Sequence, residues 1–185
     1  MSFASAYLKR LALTGGALLF CGTAVAQNMI ADPIQQIEFG VICDYRPQGQ
    51  DIPAPDTNAG KVRRGGQPFS FDLLTDEVPG LLGVAFGIRL LARADMGDRE
   101  VRMVTRHPSF GEGFRDVETW PSDLTGGVWS ARYFYFEFPY ELAAGPWIME
   151  VWLEDEMIIR QEFTVYTGIA GRKILDSCPT EGLSS

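Results

Sequence analysis

Apolar and polar residues alternate with a period of two along most of this chain, which is the signature of strands that each bury one face. The clearest case is Gly145 to Val165, GPWIMEVWLEDEMIIRQEFTV, where two alternating runs meet at Glu154-Asp155-Glu156. It predicts a β-hairpin with Trp147, Met149, Val151 and Leu153 turned inward on one strand and Ile159, Phe163 and Val165 on the other. Upstream, Ile34 to Tyr45 alternates through Ile37, Phe39, Val41 and Cys43, and Phe69 to Leu74 resumes the pattern. Leu82 to Ala92 sets Val84, Phe86, Ile88 and Leu90 on one face and Gly83 and Gly87 on the other, as in a strand that another backbone approaches closely. Glu100 to Arg106 presents Val101, Met103 and Thr105 together. Val128 to Phe138 sets Phe134, Phe136 and Phe138 against Tyr133 and Tyr135. Two stretches, Gln48 to Pro68 and Ser109 to Gly127, show no period and read as long loops rich in glycine and proline. The tail from Gly168 to Ser185 is expected to run back along the domain.

About seven strands, no long amphipathic helix and no repeat of 20 to 50 residues point to an all-β domain. An antiparallel immunoglobulin-like β-sandwich gives every apolar face a partner, with a barrel as the alternative.

The first 26 residues change the reading of the remainder. Lys9-Arg10, an apolar run from Leu11 to Val25 and the small-x-small end Ala24-Val25-Ala26 have the parts of a secretory signal peptide, too short to span a bilayer comfortably. Cleavage before Gln27 is expected to leave residues 27–185 as one domain in the periplasm or outside the cell, with no membrane span in the mature chain. A lipid anchor at Cys21 is disfavoured by Phe20, where a small residue would be needed. The segment removes two of the 16 basic residues and none of the 24 acidic ones, moving the net charge from −8 to −10. Nucleic acid is therefore not an expected partner. Cys43 and Cys178 are the two cysteines left, and an exported protein would join them in a disulfide.

Sequence motifs for chemistry are sparse. There is one histidine, His107, and no G-x-S-x-G, so a nucleophilic hydrolase has little to build on. No His/Cys set is left for zinc, and neither Glu154-Asp155-Glu156 nor Asp116 with Glu118 has the register of a calcium loop. No metal site and no cofactor is expected. The loops hold a basic minority on an acidic protein: Arg63 and Arg64 (with Lys61) in the first, Arg106, His107 and Arg115 near the second. If the loops converge, these residues would form an anion-attracting rim beside Trp120 and Trp129. These seven residues are the candidate binding set. The expected function is a non-enzymatic binding or interaction module for an envelope protein or a small ligand. The alternatives are a hydrolase or lyase of unfamiliar type using His107, and a carbohydrate-binding module.

The order of short motifs adds one resemblance. Ala54-Pro55-Asp56-Thr57 with Ala59-Gly60 comes first, then Thr75 with Val78-Pro79, Leu82-Gly83 and Phe86-Gly87, then Thr105 with His107-Pro108. Phe134-Tyr135-Phe136, Pro139-Tyr140-Glu141-Leu142 and Gly145 with Trp147 close the series. In this order they resemble the bacterial family called domain of unknown function 3859, over nearly all of the mature chain and including Cys178. The resemblance implies a small β-rich domain of exported proteins and supplies no reaction.

Overall fold

The computed structural model describes residues 28–66 and 70–179. The proposed signal segment, 1–26, lies outside the described residues. In chain order the elements are β1 (Met29–Ile30), β2 (Ile34–Ile42), β3 (Gln50–Pro53), β4 (Lys61–Arg64), β5 (Glu77–Pro79), β6 (Ala85–Ala92), β7 (Asp98–Arg106), β8 (Val117–Thr125), β9 (Trp129–Tyr135), β10 (Gly145–Leu153), β11 (Glu156–Tyr166) and α1 (Gly168–Leu175). One sheet runs β1-β11-β10-β7-β8, with β5 joining β11 as its one parallel neighbour. The other runs β2-β6-β9, and β3 pairs only with β4 as a separate hairpin. The fold is an immunoglobulin-like β-sandwich with eleven strands among the described residues instead of seven.

The core is what the alternation predicts. Trp147, Met149, Val151, Ile159, Phe163 and Val165 are buried, and Leu153 packs partly buried against them. Facing them are Phe86, Ile88 and Leu90 of β6. Trp147 sits edge-on to Phe86 and Phe136, donates its Nε1–H to the Ala143 carbonyl at 2.9 Å, and so places a polar tip without leaving the core. Ile158, expected to point outward, is buried as well. The β10–β11 register shifts between Val151 and Trp152, and the extra residue lets both isoleucines join the core.

The two stretches read as loops each contain strand, and each miss has a physical cause. Gln48 to Pro68 contains β3 and β4, which carry one aliphatic residue each, Ile52 and Val62, among charged neighbours. A two-stranded ribbon that is polar on both faces has no hydrophobic period to detect. Ser109 to Gly127 contains β8, which holds Pro121 in mid-strand. Proline is tolerated there because β8 is the edge of its sheet. By contrast, the described part of the run expected over Phe69 to Leu74, residues 70–74, makes only an isolated bridge from Leu73 to Val41.

Gly83 precedes β6 in a turn with φ +91°, so it does not share a strand face with Gly87. Gly87 does have the expected close neighbour: a Cβ there would collide with the Arg132 carbonyl of β9. Gly87→Ala is expected to prise β6 from β9 and cost about 1–3 kcal/mol, measured by urea unfolding. A cost near zero would mean that the two strands slide apart freely.

Candidate functional site

The two long connections do converge, and they do so on His107. From β7 the chain turns at Pro108, and the imidazole is completely buried, lying flat on Phe110 with ring centroids 3.9 Å apart and 4.8 Å from the Trp147 ring. Its Nε2 is 3.1 Å from Oε1 of Glu118, an inward residue of β8, and its Nδ1 is 2.9 Å from the Pro108 carbonyl. A carbonyl can only accept, so Nδ1 is the nitrogen that donates to Pro108, and Nε2 faces the carboxylate. Asn58, in the turn between β3 and β4, completes the knot. Its backbone N–H donates to Glu118 Oε2 at 2.8 Å, its Nδ2 donates to Oε1 at 3.1 Å, and its Oδ1 accepts from the Arg115 N–H at 2.9 Å. That turn is held from within by Thr57, whose Oγ1 donates to the Ala54 carbonyl at 2.8 Å.

The knot accounts for several motifs that carried the family resemblance. Ala54-Pro55-Asp56-Thr57 shapes the turn that presents Asn58, His107-Pro108 supplies the ring, and Pro139-Tyr140-Glu141-Leu142 forms the turn beside it, with Tyr140 against Phe110 and Phe114. Its chemistry is that of a lock. The imidazole is covered by Phe110 and Trp147 and met by protein at both nitrogens, and it does not border the cleft described next.

That cleft, of about 610 Å³, opens beneath the β3–β4 hairpin beside the strands β8 and β9. Four of the seven candidate residues line it: Arg63, Arg64, Trp120 and Trp129. Arg106, His107 and Arg115 do not. Arg106 lies on the outer face of its sheet, 2.8 Å from Glu150, and Arg115 sits over the turn near Asp56. The expected basic rim is moreover largely neutralised. Arg63 and Lys61 share Asp51 at 2.9 and 2.8 Å, and Arg64 is 3.2 Å from Asp123. Hydrogen bonds from Lys61 and then Arg63 hold the Asp51 carboxyl below its ordinary range.

The residue that sequence reasoning missed is Arg132. On β9 it projects in phase with Phe134, toward the space between the sheets, and reaches across to β8, where Nη2 donates to the Asp123 carbonyl. Nη1 donates to the Ala131 carbonyl at 2.7 Å, and Nε has no partner. Burial lowers this guanidinium from the usual 12.5 to about 10, so it remains charged at neutral pH. Ser130, two residues earlier, has an equally unpartnered hydroxyl. The signal was present in the alternation: extended backwards from Phe136 and Phe134, the inward phase of this strand falls on Arg132 and Ser130.

The cleft carries charged groups at both ends of an otherwise largely aromatic wall. Arg64, Ser130 and Arg132 lie near the turn joining β8 to β9, whereas Glu118, Glu137 and Glu141 lie at the far end. Glu141 is nearly inaccessible, and its Oε2 accepts the backbone N–H groups of Glu137 and Phe138 at 2.7 and 2.8 Å. Burial, opposed by these bonds and reinforced by Glu118 and Glu137, raises its titration from 4.5 to about 7. The native state therefore holds this proton more tightly than the unfolded chain does. Its contribution is fully present below about pH 4.5 and fades as pH rises through 7, a loss of about 3 kcal/mol. Glu141→Gln keeps an acceptor for both N–H groups and should flatten that decline, seen as urea midpoints that agree at pH 5 and pH 8. A variant as pH-sensitive as the parent would place the titration elsewhere.

Among the described residues there is no group of three or more His, Cys, Asp or Glu side chains that could hold a metal ion. The disulfide Cys43–Cys178 is formed, with Cα atoms 6.1 Å apart. No described helix is long and apolar enough to cross a membrane.

Residues 31–165 match the family model described as "Domain of unknown function (DUF3859)", a match that ends before Cys178. No curated protein matches the chain. Among solved structures, an immunoglobulin-like protein from Pseudomonas aeruginosa is similar at 21% identity and a TM-score of 0.48, over 77% of this chain and 99% of that one. A β-glucosidase from Kluyveromyces marxianus is similar at 19% identity and a TM-score of 0.27, over 45% of this chain and 12% of that one.

Proposed function

The chain belongs to the family described as domain of unknown function 3859, and from that premise we propose that it is an exported binding module that takes a small ligand in the cleft beneath the β3–β4 hairpin. The observation that carries this reading is the cleft itself: about 610 Å³, walled by Trp120, Tyr133 and Tyr135, with polar groups converging from three elements. A concave site of this size suits a small molecule better than a protein surface. Catalysis is less well supported, because the one imidazole is sealed into the knot rather than turned toward the cleft. The carbohydrate reading is weakened at Trp129, which has the Arg89 guanidinium over its ring at 5.2 Å.

Export is supported by the pattern of residues 1–26 and by the disulfide, which persists in oxidising compartments. Fractionation followed by N-terminal sequencing should find the mature chain in the periplasm or medium, starting at Gln27. A chain retained in the cytoplasm with Met1 intact would count against it. For the cleft, a small-molecule panel screened by tryptophan fluorescence should yield ligands whose signal disappears in Trp120→Ala. Ligands that bind this variant unchanged would locate binding elsewhere.

A further inference from the structure

We infer that the Arg132 end of the cleft is a subsite for a single carboxylate group of a small organic acid, an inference that rests on reading the cleft as a ligand site. Arg132 is an inward-pointing cation between two sheets, and burying such a charge without a counter-ion is costly. Asp123 favours its charged form from a distance, but that carboxylate is paired with Arg64 at 3.2 Å. Among the described residues no carboxylate lies within ion-pair distance of it, and its two recorded hydrogen bonds go to the neutral carbonyls of Ala131 and Asp123. A guanidinium has five N–H donors, so these bonds leave three, of which the Nε–H is unpartnered. The Ser130 hydroxyl stands on the same face two residues away, buried like the Nε–H and also without a partner, and both residues form part of the cleft wall. A planar fork of donors with a hydroxyl beside it is the arrangement that carboxylates accept from arginine.

The count of charges selects among anions. Arg63 is matched by Asp51, Arg64 by Asp123 and Arg89 by Glu38, each at 3.2 Å or less, and Lys61, which shares Asp51 at 2.8 Å, also has Glu137 at 3.8 Å. That leaves one uncompensated positive charge at this end, which balances a monoanion and not a phosphate dianion. The opposite end adds a length limit. Glu118 and Glu137 outnumber Lys61 there, so a diacid spanning the cleft would meet net negative charge, whereas an acid with an apolar or hydroxylated body would meet Trp120 and the tyrosines.

The test uses the mature disulfide-bonded protein with benzoate, its neutral isostere benzamide, succinate and inorganic phosphate as probes. Titration of the unmodified protein should show saturable benzoate binding that shifts the Arg132 Nε–H resonance in nitrogen-edited NMR, at least tenfold tighter than benzamide, succinate or phosphate. Arg132→Gln should abolish the preference for benzoate over benzamide. Should that variant fail to fold, Ser130→Ala, which removes only the hydroxyl, is expected to weaken benzoate severalfold and leave benzamide unchanged. Equal binding of benzoate and benzamide would overturn the carboxylate subsite while leaving the cleft a ligand site. Tighter binding of phosphate would overturn the choice of a monoanion. If none of the four probes shifts the Arg132 resonance, the subsite is overturned. Failure of the wider panel as well would remove the binding reading with it.

Discussion

His107→Ala is expected to destabilise the protein by about 3–5 kcal/mol, the range for removing one partner of a buried charged pair. The loss has two sources. Glu118, about 6% exposed at its side chain, keeps its Asn58 donors but loses the partner that shares its second oxygen. Phe110 and Trp147 each lose a ring they pack against. Because Asn58 is tied both to Glu118 and to Arg115, the damage should spread to both connections. Hydrogen exchange of the Asn58 and Arg115 amides should quicken before the β10–β11 amides do. Arg106→Ala is the control. Its pair with Glu150 is half exposed on the arginine side, and the change should cost about 1 kcal/mol or less. Equal effects of the two substitutions would refute the lock. The comparison also bears on function: a loss of any activity in His107→Ala signifies catalysis only if urea unfolding shows the fold unharmed, which the geometry argues against.

The parts of this architecture that were legible in the sequence are those where burial is one-sided. β10 and β11 alternate because one face meets the core and the other does not, and Trp147, Phe163 and Val165 fell where their period put them. Of the strands that escaped notice, β3, β4 and β8 border the cleft. β8 sets Trp120 and Leu124 in phase with Glu118 and Ser122, so its inner face is part core and part cleft wall and has no uniform hydropathy. The β3–β4 hairpin covers the cleft and stays polar on both sides. Irregular hydropathy was thus the trace of the site, though it read as loop.

The candidate residues divide for a related reason. Arg63, Arg64, Trp120 and Trp129 reached the cleft because they sit on strands that frame it. Arg106 and Arg115 were drawn off by Glu150 and Asp56, partners on other elements that spacing along the chain does not reveal. Arg132 was visible as a cation on the apolar phase of a strand. It carries more of the site's character than the exposed arginines, since a charge inside a sandwich must be answered by something.

Replacing Cys43 and Cys178 together with serine should lower stability by as much as about 5 kcal/mol, because the bridge closes a loop of 135 residues and restricts the unfolded chain accordingly. Cys43 follows β2 in one sheet, and Cys178 follows α1, which continues from β11 in the other, so the bond also couples the two layers at that end. If the effect acts mainly on the unfolded ensemble, the folded contacts should survive it. The serine variant is then expected to keep the His107 and Arg132 resonances and its benzoate affinity within about twofold, while its urea midpoint falls steeply. His107→Ala would behave differently, disturbing the resonances around the knot even where the protein is folded. A serine variant with altered cleft resonances would show instead that the bridge holds the native sheets in place. A variant as stable as the parent would mean that the unfolded chain is already compact near these residues, and that export into an oxidising compartment matters for reasons other than stability.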